Sequence, residues 1–143
     1  MYDTILWAHD APDLAPDALA HVQALALAFG SAVIICHVIE VTEAILGTET
    51  REVPGEAYSL RLETAAARLR EAGVARVETV MLQGVPERAL VELATEREVD
   101  LIVVSTHRRG LLARAVLGSV SGRVASSTPG IPVLVVHPAR VAD

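Results

Sequence analysis

Lysine is absent from this chain; all twelve of its Lys/Arg residues are arginine. That one absence removes a Walker-type phosphate-binding lysine, a Schiff-base nucleophile and a kinase-type lysine together. Aromatic residues are nearly missing, at 3% of the chain against 52% hydrophobic residues. The core must therefore be aliphatic, which suits strands covered on both faces by helices rich in Ala and Leu. Cys36 stands alone, so an intramolecular disulfide and a thiolate metal cluster are both excluded, as fits a reducing compartment. Set between Ile35 and His37 in an apolar run, it reads as a buried, inert thiol. The uncharged stretch Ala24 to Ile39 falls short of the ~20 residues of a membrane span and is broken at Gly30-Ser31. No basic stretch precedes Asp3, so no secretory signal is read and a cytoplasmic location is expected. The formal net charge is −6, which argues against general affinity for nucleic acid or anionic membranes.

What is present is a regular alternation of two kinds of segment. Thr4 to His9 reads as a short strand ended by the turn Asp10-Ala11-Pro12-Asp13. From about Leu14 to Phe29, Leu19, Val22, Ala26 and Phe29 recur at the spacing of one helix face, with Pro16 in the first turn and Gly30 as the stop. Ala32 to Val38 is continuously apolar, a strand buried on both faces. Residues 39–55 show no period and read as the longest irregular stretch, a flexible or lid-like loop. Tyr58, Leu62, Ala65, Leu69 and Ala72 trace a second helical stripe over Glu56 to Ala72, closed by Gly73. Val77 to Leu82 is a third strand. Gly84-Val85-Pro86 opens a third helix, whose buried face is Ala89, Leu90, Leu93 and Ala94. Leu101 to Val104 is a fourth strand, Ser119 to about Ser127 a short helix, and Val133 to Val136 a last strand. With no linker, repeat or low-complexity tract, residues 1–143 form one domain. Strand-helix alternation of this length implies an α/β fold, a doubly wound five-stranded parallel sheet with right-handed crossovers.

Ligands of such sheets bind beyond the carboxyl ends of the strands, where strand order reverses. The residues there are His9-Asp10, Val38, and the run Ser105-Thr106-His107-Arg108-Arg109-Gly110, which leads to Gly118-Ser119-Val120. A helix starting at Gly118-Ser119 offers unpaired amides and a positive dipole end to an anion. Its plainer role is that of a simple N-cap with solvated arginines nearby. No hydrolytic set is legible: in Gly118-Ser119-Val120-Ser121-Gly122, Val120 stands where a nucleophile elbow needs serine. His9 and His107 form no recognisable metal site. His21 and His137 are assigned to structure, and Trp7 to the core.

The segment DLIVVSTHRRGLLARAVLGSVSGRVASSTPGIPVLVV closely resembles the C-terminal signature of the universal stress protein family. YDTILWAHD, CHVIE and GVP fall where that family has similar segments, so the resemblance covers nearly the whole chain. It implies a Rossmann-like sheet of the adenine nucleotide alpha hydrolase type, with strand order 3-2-1-4-5. It also implies a small sensor or regulator that binds an adenine nucleotide (ATP, ADP or AMP), with or without Mg²⁺. The family's nucleotide-binding pattern G-x2-G-x9-G-[ST] lies over Ser105, Arg108, Gly118 and Ser119, of which the last two match. Two roles are open to Arg108 in place of glycine: crowding the pocket, or clamping a phosphate bidentately. The resemblance further sets Asp10 against the ribose, the backbone of Val38 against adenine, Ala8 as a pocket wall, and Val104 and Val120 as backbone or apolar contacts. Ala11-Pro12 replaces the Gly-Ser that often follows the acid, which stiffens the entrance.

The family commonly dimerises through its last strand, so a homodimer through Val133–Val136 is expected. No positioned general base is visible, and at most weak hydrolysis is expected. The alternative is a non-nucleotide-binding member, its pocket altered by Arg108, acting as a dimeric interaction module.

Overall fold

In the computed structural model, residues 1–9, 15–40, 55–105 and 130–137 are described. Strands β1 (Thr4–Ala8), β2 (Ala32–Glu40), β3 (Val77–Gly84), β4 (Leu101–Ser105) and β5 (Val133–Val136) alternate with helices α1 (Pro16–Phe29), α2 (Gly55–Glu71) and α3 (Pro86–Glu96). The strands form one five-stranded sheet in the order β3-β2-β1-β4-β5, every neighbouring pair parallel. The chain runs outward from β1 to β3, then returns to β4 and β5 on the other side. Strand order therefore reverses between β1 and β4. The segment read as a short helix from Ser119 lies outside the described residues.

The two-residue period of the strands sorts their side chains between two apolar layers. Ile5, Trp7, Val33, Ile35, Leu101 and Val103 face Ala18, Val22 and Ala26 of α1 and Leu62, Ala65, Ala66 and Leu69 of α2. Leu6, Ala8, Ile34, Cys36, Ile102 and Val104 face Leu90, Leu93 and Ala94 of α3. Each fully buried aliphatic side chain contributes about 1.5–3 kcal/mol. Scarcity of aromatics is met by alanine on the helices, which lets backbone and sheet approach closely; the single Trp7 sits at 0% exposure in the thick part of the core.

Several boundaries differ from the sequence reading, each for a local reason. β1 ends at Ala8, although the amide of His9 still donates to the Cys36 carbonyl at 2.8 Å. α1 begins at Pro16, not Leu14, because Ala15 is left-handed at φ 47° and a residue before proline is disfavoured in the helical region. Gly30, at φ 64°, closes that helix as expected. Phe29 shares the helix-face spacing of Leu19, Val22 and Ala26, yet it is 43% exposed and meets Tyr2 edge-on at 5.0 Å. α2 begins one residue earlier than read, at Gly55, and ends at Glu71. Ala89 is only half-buried, while Leu90, Leu93 and Ala94 are buried.

The largest difference lies at the carboxyl ends of the strands. β2 does not stop at Val38, and Ile39 and Glu40 are not loop: they pair with Gln83 and Gly84, which lengthens β3 past Leu82 as well. Hydrogen bonding between neighbours carries the strands beyond the apolar run that announces them. β4 likewise takes in Ser105, opposite Val136. Of the loop expected over 39–55, residues 41–54 lie outside the described residues.

Candidate functional site

The unequal lengths of the strands make a step at the reversal point. Ala8, the last residue of β1, lies opposite Cys36, and β2 continues to Glu40. The four further residues, His37 to Glu40, raise a wall of roughly 13 Å at 3.3 Å per residue beside the ends of β1 and β4.

In a parallel strand the N–H and C=O of a residue point to one neighbour, and those of the next residue to the other. The Cys36 carbonyl accepts the His9 amide at 2.8 Å, so Cys36 turns its backbone toward β1. Two residues on, Val38 turns its N–H and C=O the same way, past the end of β1. No β1 residue lies opposite it among the described residues. A donor and an acceptor thus stand side by side on the wall of the step. The side chains of Ala8, Val104 and Val38 share the α3 layer, and Ala8 and Val104 are register partners. Three of the positions implied by the resemblance are therefore brought together: Ala8 and Val104 as an apolar floor, Val38 as the wall.

Ser105 is placed differently. Its side chain lies on the opposite, α1 layer, where its Oγ accepts a hydrogen bond from Trp7 Nε1 at 2.6 Å. Both residues are buried, so the hydroxyl is tied up as a cross-strand brace. Asp10, Arg108, Gly118, Ser119 and Val120 lie outside the described residues.

A second cluster at this end was not legible in the sequence. Nδ1 of His37 donates to the backbone carbonyl of His9 at 2.9 Å, which requires the proton on Nδ1, since a carbonyl only accepts. The His37 ring stacks on Tyr58 of α2 with centroids 3.8 Å apart and planes at 7°, and the guanidinium of Arg61 lies 5.0 Å from the Tyr58 ring. Trp7 and His9 are also ring neighbours, at 5.2 Å. The stack pins the start of α2 to the wall of the step and fixes the carbonyl just before Asp10. Its sequence signal was only a histidine inside an apolar strand; the partner, Tyr58, is visible in three dimensions alone.

Cys36 lies in the floor of the same region without chemistry to offer, because burial pushes its thiol up to about 12. Among the described residues no three His, Cys, Asp or Glu side chains converge as metal ligands. His21 and His137 are exposed, His21 on the flank of α1 and His137 just beyond β5. Among the described residues, no helix is long and apolar enough to cross a membrane.

A five-stranded parallel sheet covered by helices, its strand order reversing between β1 and β4, defines an α/β protein of the Rossmann-like class. The sequence matches the universal stress protein family over residues 1–137. The chain belongs to that family. It is 37% identical over 141 residues to the universal stress protein in QAH/OAS sulfhydrylase 3'region of Thermus aquaticus, covering 96% of this chain and 100% of that one. To the universal stress protein MJ0531 of Methanocaldococcus jannaschii it is 32% identical, over 95% of this chain and 82% of that one. Among solved structures, the MJ0577 protein superposes with a TM-score of 0.79 at 29% identity, covering 99% of each chain. A universal stress protein in complex with cAMP superposes with a TM-score of 0.70, also at 29% identity, covering 96% of this chain and 98% of that one.

Proposed function

We propose that this protein binds an adenine nucleotide in the step at the β1–β4 reversal and acts as a small cytoplasmic sensor or regulator. The observation that carries the reading is the backbone of Val38. Its adjacent N–H and C=O match the acceptor and amino donor on the edge of adenine, and the apolar residues Ala8 and Val104 end the neighbouring strands on the same layer. Recognition through backbone needs no particular side chain, which agrees with an otherwise apolar pocket. A structural relative in complex with cAMP supports the same ligand class. In this reading Asp10 takes the ribose hydroxyls, and Gly118, Ser119 and Val120 receive the phosphates through amides and a hydroxyl. Ser105 contributes its backbone, since its hydroxyl serves Trp7. Mg²⁺ enters only as the counterion of a bound triphosphate. The protein is a homodimer paired through β5, whose outer edge has no partner strand among the described residues.

Calorimetry with ATP, ADP, AMP and cyclic AMP tests the reading. Saturable binding of at least one is expected; Gly118→Arg abolishes it and Asp10→Ala weakens it. Arg108→Gly then reads the guanidinium directly, with lost affinity marking a phosphate clamp and gained affinity a plug. Absence of binding by all four nucleotides overturns the reading and leaves an interaction module on the same scaffold. Sedimentation as a monomer at micromolar concentration overturns the dimer.

A further inference from the structure

At the opposite, amino end of the sheet, a groove of about 400 Å³ opens between the layers, lined by the starts of β1, β2 and β3. Three of the twelve arginines converge on it from three elements: Arg70 in the last turn of α2, Arg76 just before β3, and Arg97 directly after α3. For a chain of net charge −6, this is a concentrated exception. We infer that this groove is a second ligand site, for a small phosphate-bearing anion, distinct from the step at the carboxyl ends and independent of the nucleotide reading.

The three guanidiniums are differently committed. Arg70 donates through one nitrogen to the Val77 carbonyl at 2.8 Å, which fixes its plane and leaves its remaining N–H donors available. Arg97 is held in a two-pronged pair with Glu78, at 2.7 and 2.8 Å. Arg76 accepts the Val33 amide on its backbone carbonyl at 2.9 Å, while its exposed guanidinium has no hydrogen-bond or ion-pair partner among the described residues. Among the described residues, Glu78 is the one carboxylate lining the groove. Asp100, just before β4, is turned onto the amides of Asp3 and Thr4, at 2.9 Å each.

The plain role of such arginines is to offset the negative ends of helices, and here two helices end. Each helix terminus counts for about −0.5 of a charge. Within the groove's described lining, two termini and Glu78 set about −2 against three positive guanidiniums, while Glu96 acts on Arg97 from outside that lining. Planar guanidinium forks match phosphate oxygens bidentately. The volume exceeds that of a single phosphate and lies at the lower end of small-molecule sites. A pyrophosphate group or a small phosphorylated molecule is the class that fits.

The test is a titration of the ¹⁵N-labelled full chain with inorganic pyrophosphate, with ionic strength held constant by sodium chloride. Saturating shifts are expected at the amides of Arg76, Val77, Glu78 and Arg97. Arg76→Ala weakens the affinity by about tenfold or more, the scale of a lost charge-assisted hydrogen-bond pair. Arg76→Lys, which keeps the charge without the fork, falls between. Glu78→Gln tightens binding several-fold, because it frees Arg97 and removes the groove's own carboxylate. A purely structural role for the Glu78–Arg97 pair predicts the reverse sign. The proposal is overturned if chloride alone reproduces the shifts, or if acetate binds as well as pyrophosphate. It is equally overturned if Arg76→Ala has no effect, if Glu78→Gln weakens binding, or if the shifts are confined to Ala8, Val104 and Ser105.

Discussion

Trp7 and Ser105, 98 positions apart in the chain, are joined by a 2.6 Å hydrogen bond from the indole Nε1 to the serine Oγ. The bond braces β1 to β4 across the point where strand order reverses. It also explains how the core carries its one large amphipathic aromatic: a buried indole N–H needs an acceptor, and a serine at the end of the neighbouring central strand supplies it.

Ser105→Ala leaves that N–H buried and unsatisfied, at a cost of about 1–3 kcal/mol. At about 4 °C per kcal/mol for a domain of this size, melting drops by roughly 4–12 °C. Nucleotide affinity, by contrast, stays within about twofold, since the hydroxyl lies on the layer opposite Ala8 and Val104. Thermal melts and calorimetry on one preparation check both halves. Unchanged melting with lost affinity would place the hydroxyl in the pocket instead.

Cys36 makes stability pH-dependent at the alkaline end. Burial raises its thiol from 9.0 to about 12, so the unfolded chain ionises where the native one does not. This contribution is complete below about pH 9 and is lost as pH rises toward 12, at about 1.36 kcal/mol per pH unit. Urea melts at about pH 8 and about pH 10.5 should differ by roughly 2 kcal/mol from this group, and the difference should vanish in Cys36→Ala. The native thiol should also resist aromatic disulfide reagents until urea exposes it.

His37 and Tyr58 separate stacking from hydrogen bonding. His37→Phe keeps a ring against Tyr58 but removes the donor to the buried His9 carbonyl, at a cost of about 1–3 kcal/mol. Tyr58→Phe keeps the stack and is expected within ±0.5 kcal/mol of the parent. Chemical denaturation of the two variants side by side distinguishes the contributions. An undiminished stability of His37→Phe would mean that the ring contact, not the donor, carries the contribution.

The Glu78–Arg97 pair is half-exposed, at 48% and 40% side-chain exposure respectively, and solvent screens it. The Arg97 hydrogen bond holds the Glu78 carboxyl below its ordinary range. Its small contribution is therefore present above the normal titration range of glutamate and fades as acid protonates the carboxylate. Glu78→Gln should leave the melting temperature near neutral pH almost unchanged, which also keeps that variant folded for the pyrophosphate titration.

Much of this architecture could be read along the chain because the signals are local. A continuous apolar run such as Leu101 to Val104 has no polar face to offer solvent, so it must be a strand covered on both sides. Pro86 at a first helical position and Gly30 at a helix end act through their own backbone. The strand order followed from the C-terminal segment's resemblance and is the order found. Positions such as Ala8, Val104 and Val38 were placed by that resemblance as well, and the sheet register sets all three on one layer.

What stayed illegible depends on partners remote in sequence. Ile39 and Glu40 carry no strand signal of their own; they are strand because Gln83 and Gly84 lie beside them. Phe29 fits a helix face by spacing, yet its ring stays at the surface, where it meets Tyr2 edge-on.

The sequence by itself determined the alternation of elements and which strands are covered on both faces, since burial and backbone preference act over a few residues. Only the tertiary structure decided which polar groups meet: the indole of Trp7 with Ser105, the imidazole of His37 with the His9 carbonyl, and three arginines around one groove. Those pairings arise where the sheet brings distant segments within hydrogen-bond or charge range, and no local pattern encodes a distance between residues that far apart.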